Sequence, residues 1–179
     1  MSRVDALVEL LRVHVSASER EEADRCAMLR FAEELADPLS RTQERAHFTA
    51  SALVVDESGS RTCLVAHTKL RRLLQPGGHV EPGDASLEEA ALREAREETA
   101  LDVSLHPTAP RPFDLDAHAI PARGDEPAHV HLDVRYLVVG RGEPCDGAAW
   151  YELGAAGDGS VARLAEKALR LRTEAGPDA

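Results

Sequence analysis

The sequence predicts an α/β protein, of either the α+β or the mixed α/β kind. Three observations carry this expectation. Apolar residues recur at helical spacing through the first 45 residues. Alternating, β-branched segments flank one strongly helical stretch near 87–99. An amphipathic helix closes the chain. The 179 residues suffice for about one domain with a sizeable core.

The elements follow in order. Val4, Leu7, Val8, Leu11 and Val15 form a helical stripe, which indicates an amphipathic helix and not a signal peptide. Ser18 with Glu21 makes a capping-box pattern ahead of a second stripe, Met28, Phe31, Ala32 and Leu35. Asp37-Pro38 stops that helix. Residues 47–56 and 61–68 then read as a hairpin about the turn Glu57-Ser58-Gly59. A loop is expected through Pro76, Gly77, Gly78, Pro82 and Gly83. Helix 87–99 follows, then strands near 101–106, 111–119 and 128–140. Ser160 is the expected cap of a last helix with the stripe Val161, Leu164, Ala168 and Leu171. The expected divisions are a helical extension over 1–45, the main domain over 46–173 and a frayed tail over 174–179.

Composition narrows the function. Acids outnumber bases 32 to 21, a formal charge of −11. That balance argues against a nucleic-acid partner and against an anionic membrane surface. No run approaches the ~20 apolar residues of a membrane span. Cys26, Cys63 and Cys145 are odd in number and lack CxxC spacing, so three reduced thiols and a cytoplasmic location are expected.

The chemistry concentrates in residues 77–101, GGHVEPGDASLEEAALREAREETAL. Ser86 and Glu89 form a second capping box and are taken as structural. Glu94, Glu97 and Glu98 stand at i, i+3 and i+4, on one helix face. Two readings stand side by side on the helix alone. One is a solvated acidic face braced by Arg93 and Arg96. The other is a hard-cation site, since carboxylates with loop carbonyls suit Mg²⁺ or Mn²⁺. A Gly-Gly loop just before the helix favours the second reading, because glycine lets backbone approach a ligand closely.

This segment resembles the signature of the Nudix hydrolases, in the GGHVEPGD form of a bacterial subgroup. Gly78 matches the first glycine. Arg93, Glu94, Ala95, Glu97, Glu98 and Leu101 match the second half at the family's spacing. There are three departures. Asp84 stands where the family has glutamate, one extra residue lies between Gly83 and Ser86, and Ala100 replaces a glycine. The resemblance covers roughly residues 47–172. It implies an α/β/α sandwich with a mixed sheet, in which WYEL at 150–153 is a late strand. It also implies Mg²⁺-dependent hydrolysis of a nucleoside diphosphate linked to another moiety.

By the same resemblance Glu94, Glu97, Glu98 and the Gly77 carbonyl bind the metal. Glu97, Glu98, Arg93 and His131 form the expected catalytic set, with Arg93 holding a carboxylate in ligand geometry; an ordinary ion pair of Arg93 with Glu97 is compatible with that. Beyond the box, His129, His131 and Asp133 alternate along one strand face. They could add a metal ligand or a base, or form the strand's polar side. His79 and Asp133 are candidate substrate contacts, as is Arg72 with its neighbours Lys69 and Arg71. The other reading of that stretch is a solvated basic one. His67 reads as incidental, and Trp150 and Tyr136 as core.

The partner implied is a small-molecule diphosphate. Two other readings remain: a Nudix-fold domain that binds a nucleotide without cleaving it, and an isomerase in which Cys63 is the only candidate nucleophile. The N-terminal helices are candidates for covering the sheet, shaping the pocket or pairing two copies as a homodimer. Residues 81–98 hold seven acids and two bases, so about half of the chain's net charge falls in the segment that resembles a metal site.

Overall fold

The computed structural model of the chain describes residues 2–67, 71–124, 127–157 and 159–175. Lys69 and the end of the tail lie outside them. The described residues form four α-helices and one mixed sheet of eight strands.

Helix α1 (Arg3–Val13) starts at a reciprocal capping box between Ser2 and Asp5. It buries Leu7 and Leu11, each contributing about 1.5–3 kcal/mol. Val15, placed on the same stripe by spacing, lies beyond the helix end and is 86% exposed. Helix α2 (Glu19–Glu34) is capped by Ser18, whose hydroxyl accepts from the Glu21 N–H. Glu21 does not return to Ser18. Its carboxylate takes the Ala17 N–H at 2.8 Å, because His14 and Lys167 hold it from the other side. Half of the expected capping box is thus replaced by a tertiary anchor.

Strand β1 (Ala46–Val55) is the sheet's centre. It pairs antiparallel with β2 (Arg61–His67), the expected hairpin. Two short strands are not predicted by the sequence: β3 (Arg72–Leu74) lies just before the expected loop, and β4 (Gly77–His79) lies within it. Three residues are too few to show alternation. Pairing to β2 and β1 makes them strands. Helix α3 (Leu87–Thr99) is followed by β5 (Asp102–Leu105), β6 (Asp114–Ile120) and β7 (His129–Arg141). Strand β7 runs parallel to β1 over its whole length and antiparallel to β5 and β6. Strand β8 (Ala148–Glu152), which carries Trp150, pairs with β2. Helix α4 (Gly159–Ala175) begins one residue before Ser160, so Ser160 sits in the first turn and is not its cap.

Alternation along β1 and β7 gives the sheet two distinct faces. Phe48, Ala50, Ala52 and Val54, with Leu132, Val134 and Tyr136, pack with α1, α2 and α3 in the main core. The opposite face packs Leu53, Val55 and Leu137 against Leu164, Ala165 and Ala168 of α4. Both extension helices therefore cover the sheet. On the α4 face the first half of each strand is polar: the register sets His47, Thr49 and Ser51 beside His131, Asp133 and Arg135. That change of polarity along one face positions the chemistry described below. No described helix is long and apolar enough to cross a membrane.

Candidate active site

Helix α3 owes its form to the Ser86 cap and to small apolar residues. Ala90, Ala91 and Ala95 are fully buried and let the helix lie close to the sheet. The Ser86 hydroxyl accepts from the Glu89 N–H, while Glu89 takes the Ala85 N–H. The helix ends at Ala100 in the left-handed region, φ +57°. Alanine keeps the conformation expected of glycine there, at a cost of about 1 kcal/mol.

The last turns of α3 meet β4. A Cβ on Gly78 would fall 2.6 Å from Glu94 Oε1, so a side chain there would push the carboxylate aside. Gly77 donates its N–H to Glu98 Oε2 at 3.0 Å; its expected role was to offer its carbonyl. Burial raises the Glu98 carboxyl above its ordinary value, and the charges of Glu94 and Glu97 add to this, while the Gly77 bond opposes it. The Glu97 side chain is 59% exposed. The three carboxylates are oxygen donors on one helix face, the donor set that suits Mg²⁺ or Mn²⁺. They are not drawn into a tight cluster, since Arg93 engages two of them and Gly77 the third.

Arg93 organises this face. Its Nε and Nη2 donate to both oxygens of Asp84 at 3.0 Å. Its Nη1 donates to Glu94 Oε1 at 2.8 Å and to Glu97 Oε2 at 3.2 Å. Its Nη2 also donates to the His79 carbonyl at 3.0 Å. A planar fork of five donors can serve so many acceptors; an ammonium cannot. Asp84, the loop acid that departs from the family pattern, is buried and locks the fork. Burial would raise its carboxyl, but hydrogen bonds from Arg93 and the Glu81 N–H bring it below its usual value. Arg3 of α1 donates to the Glu81 and Asp84 carbonyls, both at 3.0 Å.

The other candidate residues lie across β4. Alternation turns Gly78 toward α3, and Gly77 and His79 the other way. A Cβ on Gly77 would meet the Ser51 Cβ at 2.4 Å, on the polar face of β1. The His79 ring lies there with His47 and His131, ring centroids 4.9–5.5 Å apart. Burial first, then His47, His118, His79 and His129, push His131 down to about 3, so its ring is neutral at pH 7. Asp133 is buried and accepts from Thr49 Oγ1 at 3.0 Å, Ser51 Oγ at 2.7 Å and Arg135 Nε at 2.9 Å. The structure thus brings Gly77, Arg93, Glu94, Glu97 and Glu98 together, and sets the side chains of His79, His131 and Asp133 on the other face of the sheet. Arg72 is elsewhere, on β3, with its guanidinium beside Gly159 at the start of α4.

Sequence reasoning missed three features. Arg135, 2% exposed, is ringed by Asp114, Asp116 and Asp133. The alternation of Asp114 with Asp116 and of Asp133 with Arg135 was the available signal. His47 and His118, also unassigned, join the histidine group; each alternates into the polar face of its strand. Cys63 is buried, and burial pushes its thiol up to about 12, which leaves no thiolate for nucleophilic work. A cavity of about 220 Å³ lies between α1 and the start of α3, lined by Arg3, Leu7, Ser86 and Tyr136 among others. The carboxylates are at the opposite end of that helix. Tyr136 is buried, and Trp150 is half-buried against the main core.

Comparison with known proteins agrees with this architecture. The chain is similar to a NUDIX-family hydrolase of Clostridium perfringens, with 27% identity, a TM-score of 0.52, and 71% of this chain and 98% of that one covered. It is also similar to an Ap4A hydrolase of C. elegans, with 20% identity, a TM-score of 0.44, and coverage of 72% and 95%. A third likeness is to an ADP-ribose pyrophosphatase of Streptococcus suis, with 15% identity, a TM-score of 0.48, and coverage of 70% and 88%. A search among proteins of curated function returned no match. The model of the NUDIX domain matches residues 45–170, from the first residues of β1 through most of α4, and the chain therefore belongs to the NUDIX family.

Proposed function

We propose that the chain hydrolyses a diphosphate linkage in a nucleoside diphosphate derivative or a related phosphorylated small molecule, using Mg²⁺. The observation that carries this is the joint geometry of β4 and α3. Glycine at 78 lets the backbone meet Glu94, Gly77 holds Glu98, and Arg93 spans Glu94 and Glu97. A solvated acidic helix needs none of these contacts.

Bound at Glu94, Glu97 and Glu98, Mg²⁺ would offset the charge of the diphosphate and lower the pKa of a water. Glu98, fixed by the Gly77 N–H, is the immobile donor of the set. Glu97 reaches solvent and is the carboxylate available to take a proton from the attacking water. Arg93, anchored on Asp84, keeps Glu94 and Glu97 at a fixed spacing while their other lone pairs stay open. The three free thiols suit a reducing compartment, and the cytoplasm is the proposed location.

The test is turnover of a panel of nucleoside diphosphate derivatives with Mg²⁺, read as released monophosphate and phosphate. Turnover that disappears in Glu97→Gln and Glu98→Gln supports the proposal. Absence of turnover across the panel, or turnover unchanged in those variants, would replace it with a domain that binds without cleaving.

A further inference from the structure

Five of the eight histidines gather on the polar face of the sheet: His47, His79, His118, His129 and His131. The carboxylate site uses none of their rings. Among the described residues, His47, His79 and His131 are the one group of three whose ligand atoms all lie within 4.8 Å of one another. We infer that these three imidazoles form a second metal site, for a borderline transition ion of the Zn²⁺ class.

The donor chemistry selects the ion. Neutral imidazole suits Zn²⁺, Cu²⁺, Ni²⁺ or Fe²⁺ and is a poor ligand for Mg²⁺. The tautomer of His47 is fixed from outside the group. Its Nδ1 lies 3.2 Å from the Gln43 carbonyl, which can only accept, so Nδ1 carries the hydrogen and Nε2 the lone pair. A backbone carbonyl on the far nitrogen is the usual arrangement behind a metal-binding histidine.

The distances fit as well. His47 Nε2 and His79 Nε2 are 3.1 Å apart. Two nitrogens on a tetrahedral ion with bonds of about 2.0–2.1 Å stand about 3.3 Å apart. The pair is within hydrogen-bond distance, and a bound ion would take the place of that contact. The His131 ligand atom lies within 4.8 Å of the other two, so the same spacing takes a ring movement of at most about 1.5 Å.

The surroundings add two observations. His129 uses Nδ1 on the Pro127 carbonyl at 2.9 Å, while its Nε2 is buried with no hydrogen-bond partner among the described residues. Its ring is 5.0 Å from those of both His47 and His131. A buried lone pair beside three convergent imidazoles calls for a ligand. His118 leans on the Asp116 carboxylate at 2.9 Å and borders His131 from β6. The ion would tie β4 to β1 and β7, and so hold the strand whose other face receives Glu94 and Glu98.

The test uses the full-length chain, stripped with a chelator and titrated with Co²⁺ in millimolar Mg²⁺. One Co²⁺ per chain is expected, with visible absorption bands of a nitrogen-ligated ion that Zn²⁺ displaces. His79→Gln and His131→Gln should each weaken Co²⁺ binding at least tenfold. The triple variant Glu94→Gln/Glu97→Gln/Glu98→Gln should keep it unchanged. X-ray absorption of the Zn²⁺-loaded native chain reads the ligands without any variant, and about three imidazoles are expected. No Co²⁺ bound at micromolar concentration, binding lost in the glutamate variant but kept in the histidine variants, or an all-oxygen shell would each overturn the inference.

Discussion

The two faces of β4 support opposite kinds of chemistry. On the α3 side, three carboxylates share one helix face, Arg93 holding Glu94 and the exposed Glu97, and the Gly77 N–H holding Glu98. On the other side, imidazoles sit on three hydrogen-bonded strands and are largely enclosed. The helical side presents carboxylates, one of which reaches solvent. The strand side packs its rings against one another. A strand of three residues keeps the two apart, because its side chains alternate and two of the three have none.

Substitutions on the two faces should separate them. The largest effect is expected for Glu98→Gln, which should lower kcat/KM by about 10²–10⁴-fold with the fold intact by circular dichroism. His79→Gln on the opposite face should cost less than about tenfold. Equal losses in the two variants would mean that both faces serve one reaction. Next is Arg135→Leu, which leaves buried Asp133 without its cation, while Asp116 keeps Arg20 and Arg163 and Asp114 keeps Lys167. It should destabilise the chain by about 3–5 kcal/mol in denaturant titration.

Smaller effects sharpen the picture. Arg93→Lys keeps the charge but loses the fork. A 10–100-fold fall in kcat/KM is expected, with a higher Mg²⁺ concentration needed for half-maximal rate. Glu21 gives a pH signature away from the α3 carboxylates. Burial would raise its carboxyl, but hydrogen bonds from His14, Lys167 and the Ala17 N–H lower it to about 2 from 4.5. A lowered folded-state pKa adds stability above the unfolded value, so this contribution should vanish as pH falls from about 4.5 to about 2. Thermal denaturation of Glu21→Gln beside the native chain reads it, since the variant lacks that pH dependence. The smallest effect is Ala100→Gly, which relieves the left-handed φ and should stabilise by about 0.5–1 kcal/mol.

The contrast also explains what the sequence could reveal. Helix α3 and its carboxylates lie within one stretch of a dozen residues, so spacing alone displays them. The two core strands β1 and β7 are visible as β-branched runs, but their parallel pairing is not. The histidine group draws on positions 47, 79 and 131, which only the register of β1 with β4 and β7 brings together. Local periodicity carries no information about register between distant strands. Glu21 shows the same limit: it reads as half of a capping box, and a lysine 146 positions away decides otherwise. Strands β3 and β4 were hidden because pairing, and not propensity, makes them.

Arg3 carries a practical lesson about boundaries. Its guanidinium clasps the carbonyls of Glu81 and Asp84, Asp84 grips Arg93, and Arg93 spaces Glu94 and Glu97. The family match begins only at residue 45. A shortened chain cut at that point would look complete by homology, yet it would have lost the outermost link of a tether that ends at the carboxylates.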